Sequence, residues 1–297
     1  MRSLYEGTGV ALVTPFKNNQ IDFLALKKLI NRDISMGAQA IVVLATTGEG
    51  TTVSTNERYD IIKFAKDVID NRCKLIVGTG NNNFSTCLEY TQMAKNLGAD
   101  GALVVTPYYN KTTQAGLVKY YQELARLEFP MIMYNVPSRT GLNLELETIE
   151  QIVKTNPFVY GIKESTTDIS RICRLCEICK DKIPIYSGED ALNYVFYCLG
   201  GNGCISVTAN VACDQVQKIF SLVKNKDSDS ALSLQRKLAP VDKVLFCETN
   251  PIPVKHMLSL MGLCSNEVRM PLIEPSNTNK QKIRAVYAQH IEKPKDL

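Results

Sequence analysis

The run Met131-Ile132-Met133 ends in Tyr134, and the run Val159-Tyr160-Gly161-Ile162 ends in Lys163. Each is a short apolar stretch closed by one polar side chain that can carry chemistry. Runs of this kind, rich in β-branched residues and bounded by polar loops, are typical of buried strands. They recur at residues 10–13, 40–44, 75–77, 102–105, 131–133, 159–162, 183–186 and 204–207.

The segments between these runs have apolar residues at helical spacing, for example over residues 24–34 and 59–68. Strands that alternate with helices and are apolar on both faces predict a parallel sheet covered by helices. Eight such units predict an α/β fold, a (β/α)8 TIM barrel over residues 1–224. A doubly wound open sheet is the alternative, although the Rossmann glycine fingerprint is missing after Gly78-Thr79-Gly80.

The strand pattern stops after residue 224. Residues 224–230 form a polar connector, and helical patterns follow at residues 231–246, 253–261 and 280–291. We therefore expect a C-terminal helical domain over residues 225–297. Pro251 and Pro253 are expected to mark the start of a helix, because proline is tolerated in a first turn.

Composition narrows the class of protein. The chain has 297 residues, 45% of them apolar and 22% charged, and a net charge of +4. The basic residues are scattered, so no nucleic-acid surface is predicted. No apolar run approaches the roughly 20 residues that a membrane span needs, and no signal-peptide core follows Met1. We therefore expect a soluble protein of the cytoplasm, without membrane or nucleic-acid partners.

Ten cysteines without a secretory signal predict reduced thiols. Cys173, Cys176 and Cys179 have a spacing that would suit an iron–sulfur cluster, but the fourth cysteine is missing. We expect them to lie along one helix and to pack as small apolar side chains. His256 and His290 lie far from any cysteine pair in the sequence, so no metal site is predicted.

Polar side chains gather where the predicted strands end. Barrel enzymes place their active sites at the C-terminal ends of the strands, so this asymmetry predicts an active site there. The residues concerned are Thr46, Thr47, Glu49, Thr106, Tyr108, Tyr109, Tyr134, Lys163, Ser187-Gly188-Glu189-Asp190, Ser206 and Thr208.

Lys163 is the first candidate for chemistry at that end. Burial of a lysine disfavours its charged form, and an uncharged amine can form a Schiff base with a carbonyl substrate. Tyr134 is expected beside it as a carrier of protons, since histidine is nearly absent from the chain. The alternative is a structural lysine paired with Glu164 or Glu189.

Two further features support a carbonyl substrate that carries a carboxylate. The hydroxyls of Thr46 and Thr47 can relay protons, although the pair could instead form a turn before the helix expected near Ser54. Arg139 could bind a carboxylate in a bidentate manner, or it could be an ordinary surface arginine. Glycines 48, 50, 78 and 80 leave phosphate binding open.

Several segments together resemble the dihydrodipicolinate synthase family of pyruvate-dependent class I aldolases. The resemblance runs from about residue 7 to about residue 271. It is carried by Ala45-Thr46-Thr47-Gly48-Glu49, Thr106-Pro107-Tyr108-Tyr109-Asn110, Tyr134-Asn135-Val136-Pro137-Ser138-Arg139-Thr140-Gly141, Gly161-Ile162-Lys163-Glu164, Ser187-Gly188-Glu189-Asp190, the segment 203–210 and Asn250-Pro251-Ile252-Pro253-Val254-Lys255.

The resemblance implies a synthase that joins pyruvate to L-aspartate 4-semialdehyde in the diaminopimelate route to lysine. Lys163 would form an imine with pyruvate, and Tyr134 would give and take protons. Thr46 or Thr47 would link Tyr134 to Tyr109, which a neighbouring subunit would supply. No metal or organic cofactor is implied, because the imine itself is the electron sink.

The remaining site residues are assigned by the same resemblance. Thr47 and the backbone of Ile205 would hold the pyruvate carboxylate, Arg139 would hold the carboxylate of the second substrate, and Gly188 would line the pocket. Family members are usually homotetramers built as dimers of dimers, and Tyr108 would lie at the tight dimer contact. A related aldolase for N-acetylneuraminate or a keto-deoxy sugar acid is the alternative, and a catalytically idle scaffold is a second rival.

The resemblance also predicts how this chain departs from lysine-inhibited members of the family. Those members usually place histidine and glutamate around an allosteric lysine at the dimer contact. Here Arg58 adds a positive charge and the glutamate is missing, so weak or absent lysine feedback is predicted. The positions concerned are Gly50, Thr51, Thr55, Arg58, Asn82 and Thr86, beside Tyr108.

Overall fold

The computed structural model describes residues 1–291. Its strands, in chain order, are β1 (Gly7–Ala11), β2 (Phe16–Lys17), β3 (Gln20–Ile21), β4 (Ala40–Val43), β5 (Lys74–Gly78), β6 (Gly101–Val105), β7 (Met131–Asn135), β8 (Val159–Glu164), β9 (Ile185–Ser187) and β10 (Gly203–Ser206). Eight of them form a closed parallel barrel in the order β1-β10-β9-β8-β7-β6-β5-β4. Because β1 pairs with both β10 and β4, the sheet has no free edge. The predicted barrel is confirmed, and the open sheet is excluded.

The hairpin of β2 and β3 was not predicted from the sequence. Each of its strands has two residues, too few to give a periodic pattern. The turn between them consists of Asn18 and Asn19, whose φ angles are 54° and 60°. A two-residue turn with positive φ at both positions suits asparagine and is common in hairpins. The Asn-Asn pair was therefore the signal that sequence reasoning missed.

Helices cover the outside of the barrel. They are α1 (Phe23–Ser35), α2 (Thr55–Ile69), α3 (Phe84–Asn96), α4 (Gln114–Ala125), α5 (Pro137–Thr140), α6 (Leu146–Thr155), α7 (Ile169–Cys179), α8 (Asn193–Cys198) and α9 (Ala209–Lys224), with a 3-10 helix at Asp190–Leu192. Ser54 caps α2 through a capping box with Glu57. The helix expected near Ser54 is thus confirmed, and the cap is this serine instead of the threonine pair.

Three helices follow the barrel: α10 (Ser228–Val244), α11 (Ile252–Leu260) and α12 (Asn277–His290). Pro253 occupies the first turn of α11, as predicted. The expected boundary after residue 224 falls in the short connector between α9 and α10. The division into two domains stays a prediction, and residues 292–297 lie outside the described residues. Among residues 1–291, no helix combines the length and apolar composition that a bilayer crossing requires.

The cysteines of α7 differ in exposure. Cys179 is buried, Cys176 is half-buried and Cys173 is exposed. A step of three residues is less than one helical turn, so successive side chains rotate away from the core. The expectation that all three pack as core residues is therefore wrong for Cys173. All ten cysteines are free thiols.

Apolar side chains fill both the space under the helices and the inside of the barrel. The inner cluster contains Ala11, Ala40, Val42, Ile76, Leu103, Ile132, Tyr134, Tyr186 and Ile205. Side chains pointing inward from parallel strands pack a barrel solidly. Polar groups at the C-terminal strand ends therefore project above an apolar core, and this core fixes their positions.

Candidate active site

Tyr134 and Lys163 lie at matching positions on adjacent strands. The register of β7 and β8 pairs Tyr134 with Lys163, and that of β8 and β9 pairs Lys163 with Tyr186. Lys163 is 5% exposed and Tyr134 is 7% exposed. The Lys163 Nζ atom lies over the Tyr134 ring, 4.4 Å from its centroid. Sequence reasoning expected an amine and a phenol side by side, and the structure brings them together.

Lys163 forms no ion pair with any carboxylate in the part of the chain that the structure describes. Its neighbour Glu164 points the other way, because successive side chains of a strand face opposite sides. Glu164 instead pairs with Arg171 Nη2 at 2.8 Å and accepts hydrogen bonds from Asn135 Nδ2. Burial raises the pKa of Glu164, while Arg171 opposes that effect. The alternative of a lysine paired with Glu164 is therefore wrong.

Lys163 faces a cavity of about 390 Å³ at the C-terminal ends of the strands. We call it the Lys163 cavity. Its wall contains most of the predicted catalytic and substrate-binding residues, namely Thr46, Thr47, Tyr134, Arg139, Lys163 and Gly188. A second cavity of about 320 Å³, the Arg58 cavity, adjoins it and shares Thr46, Tyr134 and Arg139. One wall therefore gathers an amine, a phenol, hydroxyls and a guanidinium.

Gly188 has a steric reason to be glycine. A Cβ atom at this position would lie 2.1 Å from Ser165 Oγ and 2.9 Å from Lys163 Cε. Ser165 Oγ donates a hydrogen bond to the Gly188 carbonyl, so the close approach is part of the fold. A larger residue would push against the lysine stem. Gly188 thus leaves room for Lys163 as well as lining the cavity.

Ile205 lies in the inner cluster of the barrel beside Tyr134. Among residues 1–291, the segment after β10 contributes Val207 to the wall of the Lys163 cavity, and Ile205 does not line it. The role expected for the Ile205 backbone stays a prediction.

The hydroxyl of Thr47 is held by a residue from the C-terminal helical region. Thr47 Oγ1 accepts a hydrogen bond from Asn250 Nδ2 at 3.0 Å, and Thr47 is 3% exposed. The Asn250 carbonyl in turn accepts from Arg139 Nη2 at 3.3 Å. Sequence reasoning gave Asn250 no role, although it opens one of the segments that carry the family resemblance. The structure shows that it connects two predicted substrate contacts.

Glu49 anchors the loop that carries Thr46 and Thr47. It forms an ion pair with Lys255 of α11, and both side chains are buried. The second Glu49 oxygen accepts from the Arg269 backbone N–H at 2.9 Å. Burial lowers the pKa of Lys255, and Glu49 counteracts this effect. A buried charge of this kind is stable only when it is paired, so the loop and the helix hold each other in place.

Tyr109 is not brought to the Lys163 cavity within one chain. It is 92% exposed, and its φ angle of 68° is unusual for a tyrosine. Tyr108 is half-buried and lines the Arg58 cavity. Burial raises the pKa of Tyr108, and Arg58 opposes that shift. A large aromatic ring exposed on a strained turn is an unusual surface feature.

The residues predicted for an allosteric site divide between the Arg58 cavity and its surroundings. Gly50, Thr51 and Arg58 line the cavity with Tyr108, whereas Thr55, Asn82 and Thr86 are not among its described lining residues. Arg58 donates from Nη1 to the Gly78 carbonyl and from Nη2 to the Gly50 carbonyl, both at 2.8 Å. Its guanidinium also lies 4.0 Å from the centroid of the Tyr90 ring. Burial lowers the pKa of Arg58.

The profile of the Dihydrodipicolinate synthetase family matches residues 5–290. The chain belongs to this family. A 4-hydroxy-tetrahydrodipicolinate synthase from Thermodesulfovibrio yellowstonii is 43% identical to it over 284 residues, which cover 95% of this chain and 97% of that relative. The resemblance inferred from the sequence is confirmed, and this member of the family is a lyase of the class I aldolase type.

Solved structures of dihydrodipicolinate synthases agree with the fold. The enzyme from Thermotoga maritima superposes with a TM-score of 0.95 at 38% identity, covering 97% of this chain and 99% of that chain. A chloride-inhibited enzyme from Acinetobacter baumannii, complexed with pyruvate, has a TM-score of 0.93 at 40% identity and covers 95% and 98% of the two chains. These relatives support the synthase over the sugar-acid aldolase that the sequence left as an alternative.

Proposed function

We propose that the chain condenses pyruvate with L-aspartate 4-semialdehyde to give 4-hydroxy-tetrahydrodipicolinate, in the diaminopimelate route to lysine. One observation carries this proposal: the buried Lys163 amine lies against Tyr134 without a carboxylate partner among residues 1–291. An amine in such a position is suited to imine formation. The names shared by the relatives and the bound pyruvate of the Acinetobacter enzyme support the same substrates.

The reaction begins when Lys163 Nζ attacks the keto carbon of pyruvate. Loss of water gives an imine, and loss of a methyl proton converts the imine to an enamine. The enamine carbon attacks the aldehyde of the second substrate and forms the new carbon–carbon bond. The substrate nitrogen then adds to the imine carbon, and the bond to Lys163 breaks as the ring closes. The imine takes up the electrons, so the cycle needs no metal or organic cofactor.

Tyr134 is the proposed carrier of protons in these steps. Its position against Lys163 supports the assignment, since proton transfer needs contact or one intervening group. Thr46 or Thr47 continues the relay toward Tyr109 of a neighbouring subunit. The exposure of Tyr109 supports a role in a neighbour's site instead of its own.

The carboxylates of pyruvate and of L-aspartate 4-semialdehyde are assigned to different parts of the wall of the Lys163 cavity. Thr47 and the Ile205 backbone hold the carboxylate of pyruvate, and Gly188 keeps the space open. Arg139 holds the carboxylate of L-aspartate 4-semialdehyde. The support is that Arg139 is exposed to the cavity and makes a single hydrogen bond, to Asn250, among the described side-chain contacts. Its planar guanidinium retains donors for a bidentate contact.

We also propose a homotetramer, a dimer of dimers, located in the cytoplasm. The tight dimer would bring Tyr108 and Tyr109 to the contact between two chains. The exposed Tyr109 ring supports this assembly, because its removal from water would favour association. Sedimentation velocity of the purified chain measures the assembly, and a monomer at micromolar concentration would contradict it.

Reduction with borohydride in the presence of pyruvate tests the proposed function. A stable adduct is expected on Lys163, located by peptide mass mapping, and Lys163→Ala should abolish it. Lys154→Ala, which removes an exposed lysine of α6, is the matched control and should trap pyruvate normally. An adduct on another lysine, or none at all, would contradict the proposal. A product assay with L-aspartate 4-semialdehyde against a sugar acid separates the synthase from the aldolase alternative.

Lysine feedback is expected to be weak or absent. The Arg58 cavity contains a guanidinium, which repels the ammonium group of free lysine, and Arg58 is already bonded to two carbonyl oxygens. Titration of the purified enzyme with L-lysine in a steady-state assay checks this expectation. Half-inhibition below about 1 mM, equivalent to a binding free energy beyond about −4 kcal/mol, would show it to be wrong.

A further inference from the structure

The wall of the Lys163 cavity carries more charge than the proposed function has yet used. Besides Lys163 and Arg139, it contains two carboxylates, Glu189 and Glu248. The proposed second substrate is an amino acid, with an α-carboxylate and an α-ammonium group. Arg139 is complementary to the carboxylate. A carboxylate of the wall is complementary to the ammonium.

Glu248 is already engaged. Its Oε1 atom accepts hydrogen bonds from the backbone N–H and the hydroxyl of Ser276, at 3.0 and 2.8 Å, and from Asn279 Nδ2 at 2.7 Å. These bonds lower the pKa of Glu248. Ser276 is the N-cap of α12, so Glu248 holds the capping residue of that helix in place. The bonds to Ser276 and Asn279 therefore explain why a carboxylate occupies this position, and no substrate contact is needed to explain it.

Glu189 has a fixed backbone and a free carboxylate. Its N–H donates to Ser187 Oγ at 3.2 Å, and its carbonyl accepts from Ser187 Oγ at 3.0 Å and from the Leu192 N–H at 3.0 Å. Its carboxylate forms no hydrogen bond or ion pair with another side chain among residues 1–291. A half-buried carboxylate held rigidly on a cavity wall without a partner is poised for a ligand cation.

The neighbouring Asp190 cannot take this role. Its Oδ2 atom accepts from the backbone N–H groups of Val207 and Thr208, at 2.8 and 2.9 Å, and it is 4% exposed. Burial and the charge of Asp190 raise the pKa of Glu189, while Lys163 opposes them. A carboxylate with a raised pKa is a better base near neutral pH than a solvated one.

We propose that the Glu189 carboxylate binds the α-ammonium group of the second substrate and accepts its proton before ring closure. This inference rests on the proposed function. The N–H bond breaks and the proton moves to Glu189, which frees the nitrogen lone pair. The nitrogen then bonds to the imine carbon and gives up a second proton, which Tyr134 passes to Lys163 Nζ. The bond from that carbon to Nζ breaks as the ring C=N bond forms, and Lys163 leaves as the free amine.

Two aldehydes test the inference. L-aspartate 4-semialdehyde carries the amino group, and 4-oxobutanoate is the same aldehyde without it. Glu189→Gln is expected to lower kcat/KM for the amino aldehyde at least tenfold. The same variant should condense 4-oxobutanoate with the pyruvate enamine within twofold of the parent rate, measured in a single turnover by mass spectrometry. Glu248→Gln is the matched control, with near-parent kinetics for both aldehydes.

The pH profile gives a second readout that a structural role would not move. For the parent enzyme, kcat/KM for the amino aldehyde should fall as acid protonates Glu189. This fall at acid pH should be absent in Glu189→Gln and present in Glu189→Asp. Equal losses with both aldehydes, or full activity of Glu189→Gln, would overturn the inference. Borohydride trapping of pyruvate on Lys163 should survive in Glu189→Gln, and failure of trapping in the parent would overturn the proposed function instead.

Discussion

At the scale of single residues, the site depends on which side of a strand each side chain faces. Lys163 and Glu164 are consecutive, yet the first faces the cavity and the second is bonded to Arg171 outside the barrel. The same alternation aligns Tyr134, Lys163 and Tyr186 across three strands. Two tyrosines therefore flank one lysine in one layer, but Tyr134 lines the Lys163 cavity, whereas Tyr186 is fully buried and bonded to Tyr5.

Tyr134→Phe is expected to slow turnover by a factor of about 10² to 10⁴, the usual contribution of a general acid or base. Pyruvate should still bind, because the ring remains beside Lys163. Tyr186→Phe is the matched control. The Tyr186 hydroxyl donates to the Tyr5 carbonyl at 2.8 Å, so its role is structural and its loss should slow turnover far less. Steady-state kinetics of both variants measure the difference. Near-normal turnover of Tyr134→Phe would remove Tyr134 from its assigned role.

At the scale of elements, the loops that follow the strands are fixed by the C-terminal helical region. The loop after β4 is held by Asn250 through Thr47 and by Lys255 through Glu49. Loops positioned by a rigid scaffold commonly carry binding and catalytic residues. The helices after the barrel thus help to position the wall of the Lys163 cavity.

Asn250→Ala separates the two contacts made by Asn250. The substitution removes the side-chain bond to Thr47 but leaves the backbone carbonyl that accepts from Arg139. A lost hydrogen bond is worth about 1 kcal/mol, so KM for pyruvate should rise roughly fivefold. KM for L-aspartate 4-semialdehyde should stay near the parent value. Initial-rate kinetics with each substrate varied in turn give both constants, and a larger effect on the aldehyde would contradict the assignment.

At the scale of the whole molecule, a buried acidic group joins the barrel to α10. Asp242 of α10 accepts from Thr208 Oγ1 at 2.7 Å and from Gln235 Nε2 at 3.2 Å, and Thr208 is in turn bonded to Asp190. Burial, helped by the charge of Asp190, raises the pKa of Asp242 to about 8. The contact between barrel and helix therefore favours a protonated carboxyl.

This raised pKa makes folding stability depend on pH. In the unfolded chain an aspartate has a pKa of about 3.9, so between that value and about 8 the folded state holds a proton that the unfolded state has lost. The contribution of Asp242 to the free energy of unfolding is complete below about pH 4 and is lost as the pH rises through about 8. The free energy of unfolding should fall from pH 6 to pH 9. Asp242→Asn should reduce this slope without removing it, because burial also raises the pKa of Asp33 to about 8.

Thermal unfolding of the parent and the variant at each pH measures the slope. Glu57→Gln is the control: hydrogen bonds from Arg269 lower the pKa of Glu57 to about 2, so this group stays ionised throughout the range. Its substitution should shift the melting temperature by a constant amount. If the melting temperatures of the parent and Asp242→Asn changed with pH in parallel, Asp242 would not titrate between pH 6 and pH 9.

Periodicity and residue chemistry were enough to predict the barrel and much of the Lys163 cavity. The apolar runs located all eight barrel strands to within a few residues, because a strand buried on both faces must be apolar over its whole length. The polar side chains that end those runs gave Lys163, Tyr134 and Thr47 before any contact was known. The register did not follow from those runs, since a strand that is apolar on both faces has no alternation to fix it.

Contacts between distant parts of the chain were decided only by the tertiary structure. Asn250 and Thr47 are 203 residues apart in sequence, and no local pattern links them. The same holds for the Lys255 partner of Glu49 and for the free carboxylate of Glu189. A side chain's partners depend on which loops the closed barrel brings together, whereas its strand or helix depends on its near neighbours. The sequence alone therefore determined the scaffold and pointed to Lys163 as the proposed nucleophile, and the fold decided which groups surround it.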